Sequence, residues 1–486
     1  MVEEKQKAGY ENELNEYVSQ EKAAVNLISS VGKLMYDKGT ELVLFRHHLV
    51  DRGISEVIQL HDYAGKIVNK PIDIYNTSSL ADELYKLDLK PSKLDIGKLA
   101  NEWSNEKSNF DSKADFLKNK LSVIFSDESQ NIEPKDVVLY GFGRIGRLAC
   151  RELIKQAGKG QQLRLRAIVT RNAADDQIVK RAALLRNDSV HGTFAGSIVE
   201  DLKNKALIIN GQIVKMIEAK TPEEIDYESY GISNALVIDN TGVYTDKEAL
   251  GRHMKSNGVS KVLLTAPGKE IPNIVYGINH KELDLEGTDI YSAASCTTNA
   301  ISPILKVIED NLEVEKGHIE TVHAYTNDQN LLDNMHKKSR RGRSAAINMV
   351  ITSTGAGKAV TKVIPSLTGK LTANAVRVPT PNGSLAIISL NVKNGTSAEE
   401  VNNLIKNAAV KGDLVNQINF NLDPELVSND IIGNNCCSVF DSNATIVSQD
   451  GKNIVLYTWY DNEFGYTKQV IRLAKYIAKV RRLIYY

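Results

Sequence analysis

The chain has few cysteines, no net charge and no long apolar run, and each shortage removes a class of function. Its four cysteines, Cys150, Cys296, Cys436 and Cys437, form neither a disulfide framework nor the paired spacing of a metal site. No metal is expected. The 60 basic residues are balanced by 60 acidic ones, so no whole-chain field draws nucleic acid or an anionic membrane. No apolar run spans a bilayer, and the opening Met1-Val2-Glu3-Glu4-Lys5 lacks the apolar core of a signal peptide. A reduced, soluble, cytoplasmic protein is expected, with neither nucleic acid nor membrane as partner. What remains is ordinary globular composition, 42% hydrophobic and 25% charged, over 486 residues. That length predicts two or three domains.

Residues 1–132 differ from the rest. Tyr10, Leu14, Tyr17, Val18, Val25 and Ile28 sit at helical spacing. Leu42 to Val50, then Leu80, Leu84 and Leu87, Leu94–Trp103 and Phe116–Phe125 extend the pattern. The region is mildly acidic, with 17 Lys/Arg against 22 Asp/Glu, and has apolar faces to bury. It reads as an all-α region, with Ser126–Pro134 as a polar linker. From Val137 strands alternate with helices. Val137–Tyr140, Ala167–Val169, Leu236–Ile238, Val262–Leu264, Ile274–Tyr276 and Ile290–Ser292 read as strands of a doubly wound α/β domain over 133–296. Beyond Cys296 the strands lengthen and alternate, as in Ile319–Ala324, Leu371–Val378, Leu385–Val392 and Ile454–Tyr460. They predict a second, mixed-sheet α+β domain over 297–464. A final helix, 465–486, carries Val470, Ile471, Ala474, Ile477 and Ala478 on one stripe.

Gly141, Gly143 and Gly146 stand between a strand and a helix. In that setting the first permits a tight turn, the second admits a pyrophosphate to the backbone, and the third allows close helix packing. The pyrophosphate then rests on amides at a helix N-terminus. A dinucleotide site is expected. A carboxylate that would bond a ribose 2′-hydroxyl is missing from the end of the next strand, Ile168-Val169-Thr170-Arg171-Asn172. Two readings stand: Thr170 and Arg171 serve a 2′-phosphate, or Asp175 or Asp176 takes the carboxylate's part and Arg171 is a solvated loop cation.

Ser295-Cys296-Thr297-Thr298-Asn299 follows a strand and opens a helix. A cysteine there gains thiolate character from the helix dipole and free amides, and the same amides can hold an oxyanion. His323, in the strand Glu320–Thr326, can serve as its base and then its acid. A structural cysteine and a satisfied core histidine are the bland alternative, and spacing alone does not choose.

Taken together these stretches closely resemble glyceraldehyde-3-phosphate dehydrogenases. Gly-Phe-Gly-Arg-Ile-Gly-Arg (141–147), Ser-Cys-Thr-Thr-Asn (295–299), Thr-Val-His-Ala-Tyr-Thr-Asn-Asp-Gln (321–329), Thr-Ser-Thr-Gly-Ala (352–356), Val-Arg-Val-Pro-Thr (376–380) and Trp-Tyr-Asp-Asn-Glu-Phe-Gly-Tyr (459–466) come in the family's order. The likeness covers Lys135 onward and leaves residues 1–132 as an extension. The resemblance implies a Rossmann domain completed by the final helix, and a catalytic domain. It implies oxidation of glyceraldehyde 3-phosphate through a Cys296 thioester, with His323 as base, to 1,3-bisphosphoglycerate in glycolysis or gluconeogenesis.

By the same resemblance Thr326 and Arg377 hold the substrate phosphate, and Ser295, Thr297, Arg343, Thr354 and Gly355 surround inorganic phosphate. The cofactor positions are Gly141, Gly143, Arg144, Ile145, Gly146, Thr170, Arg171, Lys220, Thr265 and Asn462. The basic loop 327–344 corresponds to a loop that meets its copies in a homotetramer. NAD-dependent members carry Leu-Pro where this chain has Asn334-Met335, and with Thr170-Arg171 and Lys220 this predicts dual or NADP-leaning use. Tyr140 replaces an asparagine before the glycine turn. Erythrose-4-phosphate dehydrogenase and a fold-retaining interaction protein are the rivals, and the intact 352–355 segment and Cys296–His323 favour the phosphorylating enzyme.

Overall fold

The computed structural model describes residues 2–125, 132–155, 158 and 160–486, and most of the expected linker lies outside them. The chain forms two compact units. One comprises residues 1–134, 156–162 and 480–486; the other comprises 135–155 and 163–479.

The first unit is mostly helical, as expected. A long helix, Val2–Lys38, packs Leu27, Val31 and Leu34 into a core shared with the helices Ile54–Val68, Ile74–Lys86 and Ile96–Glu106. The all-α expectation missed a small sheet. Glu41–Leu44 and His47–His48 form a hairpin where helical continuation was expected, and Glu41–Leu44 also pairs in parallel with Ser92–Asp95. The hairpin turns at Phe45 and Arg46, both in the left-handed region (φ 40° and 76°). Asp95, fully buried, holds that turn by accepting hydrogen bonds from the backbone amides of Phe45 (2.9 Å) and Arg46 (3.1 Å) and from the Arg46 guanidinium. Its Oδ1 also accepts from the Lys98 amide at 3.0 Å and so caps the helix Ile96–Glu106.

The fourth strand of this sheet comes from far along the chain. Leu483–Tyr485 pairs in parallel with Ser92–Asp95, matching Leu483 to Ser92 and Tyr485 to Leu94. Tyr485 donates to Glu102 at 2.5 Å, and the Arg46 guanidinium lies 4.5 Å from the Tyr486 ring centroid. This corrects the expected final helix 465–486: the helix spans Phe464–Ile477, Lys479 is left-handed (φ 58°), and residues 483–485 form a strand instead.

The second unit contains two eight-stranded sheets. In the first, strand order is Ile290–Ser292, Val259–Leu264, Ala235–Asp239, Lys135–Tyr140, Leu163–Thr170, Gln212–Glu218, Ala206–Ile209 and Ile198–Asp201. Six strands run parallel; Ala206–Ile209 runs against them, and Ile198–Asp201 pairs antiparallel with it at the edge. Strand order reverses beside Lys135–Tyr140, whose neighbours are Leu163–Thr170 on one side and Ala235–Asp239 on the other. Such a switch point opens a crevice beyond the strand ends. Ile274–Tyr276, expected as a strand, is a loop: the Ile274 amide bonds Ser292 O at 2.8 Å, but Gly277 (φ 93°) turns the chain away.

The second sheet is mixed. Val314–Ala324 is central, parallel to Leu371–Val378 and antiparallel to Ser384–Val392, which in turn pairs with Asn453–Tyr460. The helix Cys296–Leu312 leads on from the first sheet's edge strand, and its residues from Thr297 to Leu305 are all buried. Among the described residues no helix is long and apolar enough to cross a membrane.

Candidate active site

The glycine turn has the geometry its sequence suggests. Gly141 is at φ 93°, and a Cβ on Gly146 would meet Gly141 O at 2.5 Å, so any side chain there would push the helix Arg144–Ile154 off the strand. Tyr140, buried above the turn, accepts from the Asn240 amide at 2.8 Å through its carbonyl and packs edge-on against His253 at 4.7 Å. Arg144 is held between Asp188 and Glu463, with Nη2 donating to Glu463 at 2.6 Å. Two cavities flank this turn.

The first, of about 540 Å³, is lined by Arg144, Ile145, Thr265, Ser295, Cys296, His323, Thr326, Arg377 and Asn462 among others. Nine sequence-predicted residues therefore converge from both sheets. Ser295 caps the helix Cys296–Leu312 by accepting from the Thr298 amide at 3.0 Å, and Ala294 before it is left-handed (φ 56°). A strained residue next to a helix head aims Cys296 into the cavity. Its Sγ lies 3.7 Å from His323 Nε2. The Ala324 carbonyl is 2.7 Å from His323 Nδ1 and accepts from Arg377 Nη1 at 2.8 Å. Arg377 Nη1 also lies 2.8 Å from His323 Nδ1, so guanidinium and carbonyl together fix that edge of the ring and turn Nε2 towards the thiol.

Burial pushes the Cys296 thiol up, while the Arg377 cation and hydrogen bonding from Thr297 pull it back. Burial and Arg377 together depress the His323 imidazole to about 3. A neutral imidazole beside a thiol near a cation can take the thiol proton without itself being charged beforehand. Tyr460 walls the pair, its ring 5.8 Å from that of His323 and its hydroxyl 3.1 Å from Thr297 Oγ1. Asn462 is oriented by Ser384, which donates to its Oδ1 at 2.9 Å, and Thr265 donates to Asp239 O at 3.0 Å.

Not every expected residue joins. Thr354 and Gly355 lie at the head of the helix Ala356–Val363 and are not part of the cavity wall. Arg343 points outward: its side chain is 65% exposed and pairs with Asp333 at 2.8 Å. Arg341, which sequence reading passed over, is the inward one. It is 12% exposed, pairs with Asp328, and acts on both His323 and Arg377. Asp328 also accepts from Thr326, so one carboxylate ties Arg341 to the Thr326–Arg377 side of the cavity.

The second cavity, of about 360 Å³, is lined by Tyr140, Gly141, Gly143, Thr170, Arg171, Arg181, Lys220, Thr241 and Tyr244 among others. Among the described residues no carboxylate lines it. Asp175 pairs with Lys205 at 2.5 Å and Asp176 with Lys180 at 3.0 Å, which places both outside it. Thr170 donates to Asn172 O at 3.0 Å. Glycine turn, helix head and adjoining cavity together fit a dinucleotide.

Comparison with known proteins agrees with this geometry. Residues 135–247 match the glyceraldehyde 3-phosphate dehydrogenase NAD binding domain, and 295–462 match the C-terminal domain of the same family. A glyceraldehyde-3-phosphate dehydrogenase-like protein of Pseudomonas aeruginosa is 45% identical over 93% of this chain and 98% of its own length. The chain belongs to the glyceraldehyde-3-phosphate dehydrogenase family. Dehydrogenases of that name from Clostridium pasteurianum and Bacillus subtilis are 40% and 38% identical, each across 71% of this chain and nearly all of their own lengths. The match to the Pseudomonas relative thus covers 93% of the chain, against 71% for these shorter family members. The family's NAD binding domain makes a nicotinamide dinucleotide the cofactor.

Proposed function

We propose that the chain is a phosphorylating glyceraldehyde-3-phosphate dehydrogenase, with Cys296 as nucleophile and His323 as base. The carrying observation is Cys296 Sγ at 3.7 Å from His323 Nε2, at a helix head, in one cavity with Thr326 and Arg377. Thr326, Arg377 and, behind them, Arg341 hold the substrate phosphate and bring the aldehyde to the sulfur. As His323 Nε2 takes the thiol proton, sulfur adds to the carbonyl carbon and the oxygen gains the displaced electron pair, stabilised by the amides of the helix head. His323 returns that proton to the oxygen, giving a thiohemiacetal. Its collapse to the thioester needs a hydride acceptor, which a bound nicotinamide supplies, held against Thr265 and Asn462. His323 removes the hydroxyl proton in that step. Inorganic phosphate then attacks the thioester carbon and the Cys296 thiolate leaves; of the residues expected to bind it, Ser295 is in the cavity wall. The product is 1,3-bisphosphoglycerate, the glycolytic acyl phosphate, and the reverse sequence serves gluconeogenesis.

Assays with glyceraldehyde 3-phosphate or erythrose 4-phosphate, each with and without phosphate, test the reading. Turnover that requires phosphate and prefers the three-carbon substrate is expected. Preference for erythrose 4-phosphate, or equal steady-state rates without phosphate, overturns it.

Dual or NADP-leaning cofactor use is part of the proposal, supported by a ribose-side cavity with three cations and no carboxylate in its wall. A higher kcat/KM with NADP than with NAD, or one within tenfold, is expected. A homotetramer is the proposed assembly: Leu331, Leu332, Met335, Ile347 and Met349 are all exposed on or beside the loop 327–344 and need an apolar partner. Light scattering at four chain masses checks it.

A further inference from the structure

The ribose-side cavity draws its three cations from three different elements. Arg171 follows the strand Leu163–Thr170, Lys220 follows the strand Gln212–Glu218, and Arg181 sits on the second turn of the helix Asp175–Arg186. They are not equivalent. Arg171 and Lys220 are exposed on loops, whereas Arg181 is half-buried on a helix. Among the described residues its guanidinium hydrogen-bonds only its own preceding turn, with Nη1 donating to Gln177 O at 3.2 Å and to Gln177 Oε1 at 3.4 Å. Among the described residues it has no ion pair, because Asp175 and Asp176 on the same helix are taken by Lys205 and Lys180. Burial disfavours its charged form, and Asp176 opposes that only as a distant charge.

Helical side chains lean towards the helix N-terminus, here the end that adjoins Thr170, where the second strand delivers the ribose. A rigidly held, partly desolvated guanidinium with no counter-ion is a better anion receptor than a solvated loop cation. Its planar fork can engage a phosphate through two parallel hydrogen bonds.

We propose that Arg181 is the principal specificity-determining residue for a ribose 2′-phosphate, with Arg171 and Lys220 as auxiliary cations. The proposal rests on the reading that the chain accepts NADP. It goes further in placing the discrimination on a helix residue inside the wall instead of on the strand-end pair Thr170-Arg171.

The test compares the full-length protein with Arg181→Met, Arg181→Lys and the double variant Arg171→Met/Lys220→Met. Two readouts are used: the ratio of kcat/KM for NADP to that for NAD, and the affinity for 2′,5′-ADP relative to 5′-AMP by calorimetry. Arg181→Met is expected to lower both ratios about 10- to 100-fold, the loss of one charge-assisted bidentate contact. Arg181→Lys, which keeps charge and stem, should recover part of that loss, and the double variant should lose less than Arg181→Met. A parent protein that binds 2′,5′-ADP no better than 5′-AMP would sink the NADP reading and this assignment together. A parent that favours 2′,5′-ADP, with Arg181→Met unchanged or with the double variant losing more, would overturn the assignment of Arg181 alone. So would Arg181→Lys losing as much as Arg181→Met, since charge would then not be the agent.

Discussion

Burial and Arg377 act in opposite directions on Cys296: burial raises the thiol, and the guanidinium stabilises the thiolate. Replacing Arg377 by methionine removes the stabilising cation and keeps the bulk. The thiol pKa then rises further, so the pH profile of alkylation by neutral iodoacetamide should move upward by about one pH unit. A profile that stays put would show that Arg377 does not reach the sulfur. Cys296→Ser should lower turnover at least about a thousandfold, measured as dinucleotide reduction. Two of the three arginines of the basic loop make a sharper pair. Arg341→Ala should reduce kcat/KM for the phosphorylated aldehyde about tenfold or more, while Arg343→Ala should change it less than about twofold. At this scale the sequence singles out Cys296 and His323 by their places at a helix head and a strand end, and the fold brings them within 3.7 Å of each other. It does not separate Arg340, Arg341 and Arg343, because which of three neighbouring cations points inward depends on how the loop folds onto Asp328 and Asp333.

Elements that carry their own periodicity were legible: the glycine turn, the helix Cys296–Leu312 and the long strands of the second sheet all fall where the pattern puts them. The hairpin Glu41–His48 was not. Its strands are too short to show alternation, its turn uses Phe45 and Arg46 in a conformation usually left to glycine, and its partner strand lies some fifty residues away. Asp95 is what makes such a turn tolerable. Asp95→Ala strips acceptors from two strained amides and leaves the Arg46 guanidinium without its buried partner. A loss of about 3 kcal/mol in the stability of this unit is expected by denaturant titration. In the other unit, Gly146→Ala sets a methyl against Gly141 O and should weaken dinucleotide binding about tenfold or more, read by titration of intrinsic fluorescence.

On the scale of the whole molecule, the sequence showed an extension ahead of a dehydrogenase but not that the extension borrows a strand. Leu483–Tyr485 carries no strong signal of its own, since three residues show neither period nor turn, and its partner Ser92–Asp95 is nearly the whole chain away. Calorimetry of a protein lacking residues 483–486 should show the transition of the first unit lowered by roughly 5–10 °C. An unshifted transition would mean that the strand contributes no stability. A protein beginning near Asn131 strands the same segment as an unpaired apolar edge and should self-associate more than the parent in light scattering.

That borrowed strand also fixes an order of events during synthesis. A domain at the head of a polypeptide ordinarily finishes folding while the ribosome is still translating the later domains. Here Ser92 cannot meet Leu483 until the dehydrogenase domains have been made, so a sheet begun before them closes only after them. Nascent chains halted before residue 480 should therefore hold an incomplete, protease-sensitive first unit, and emergence of residues 483–485 should be what completes it.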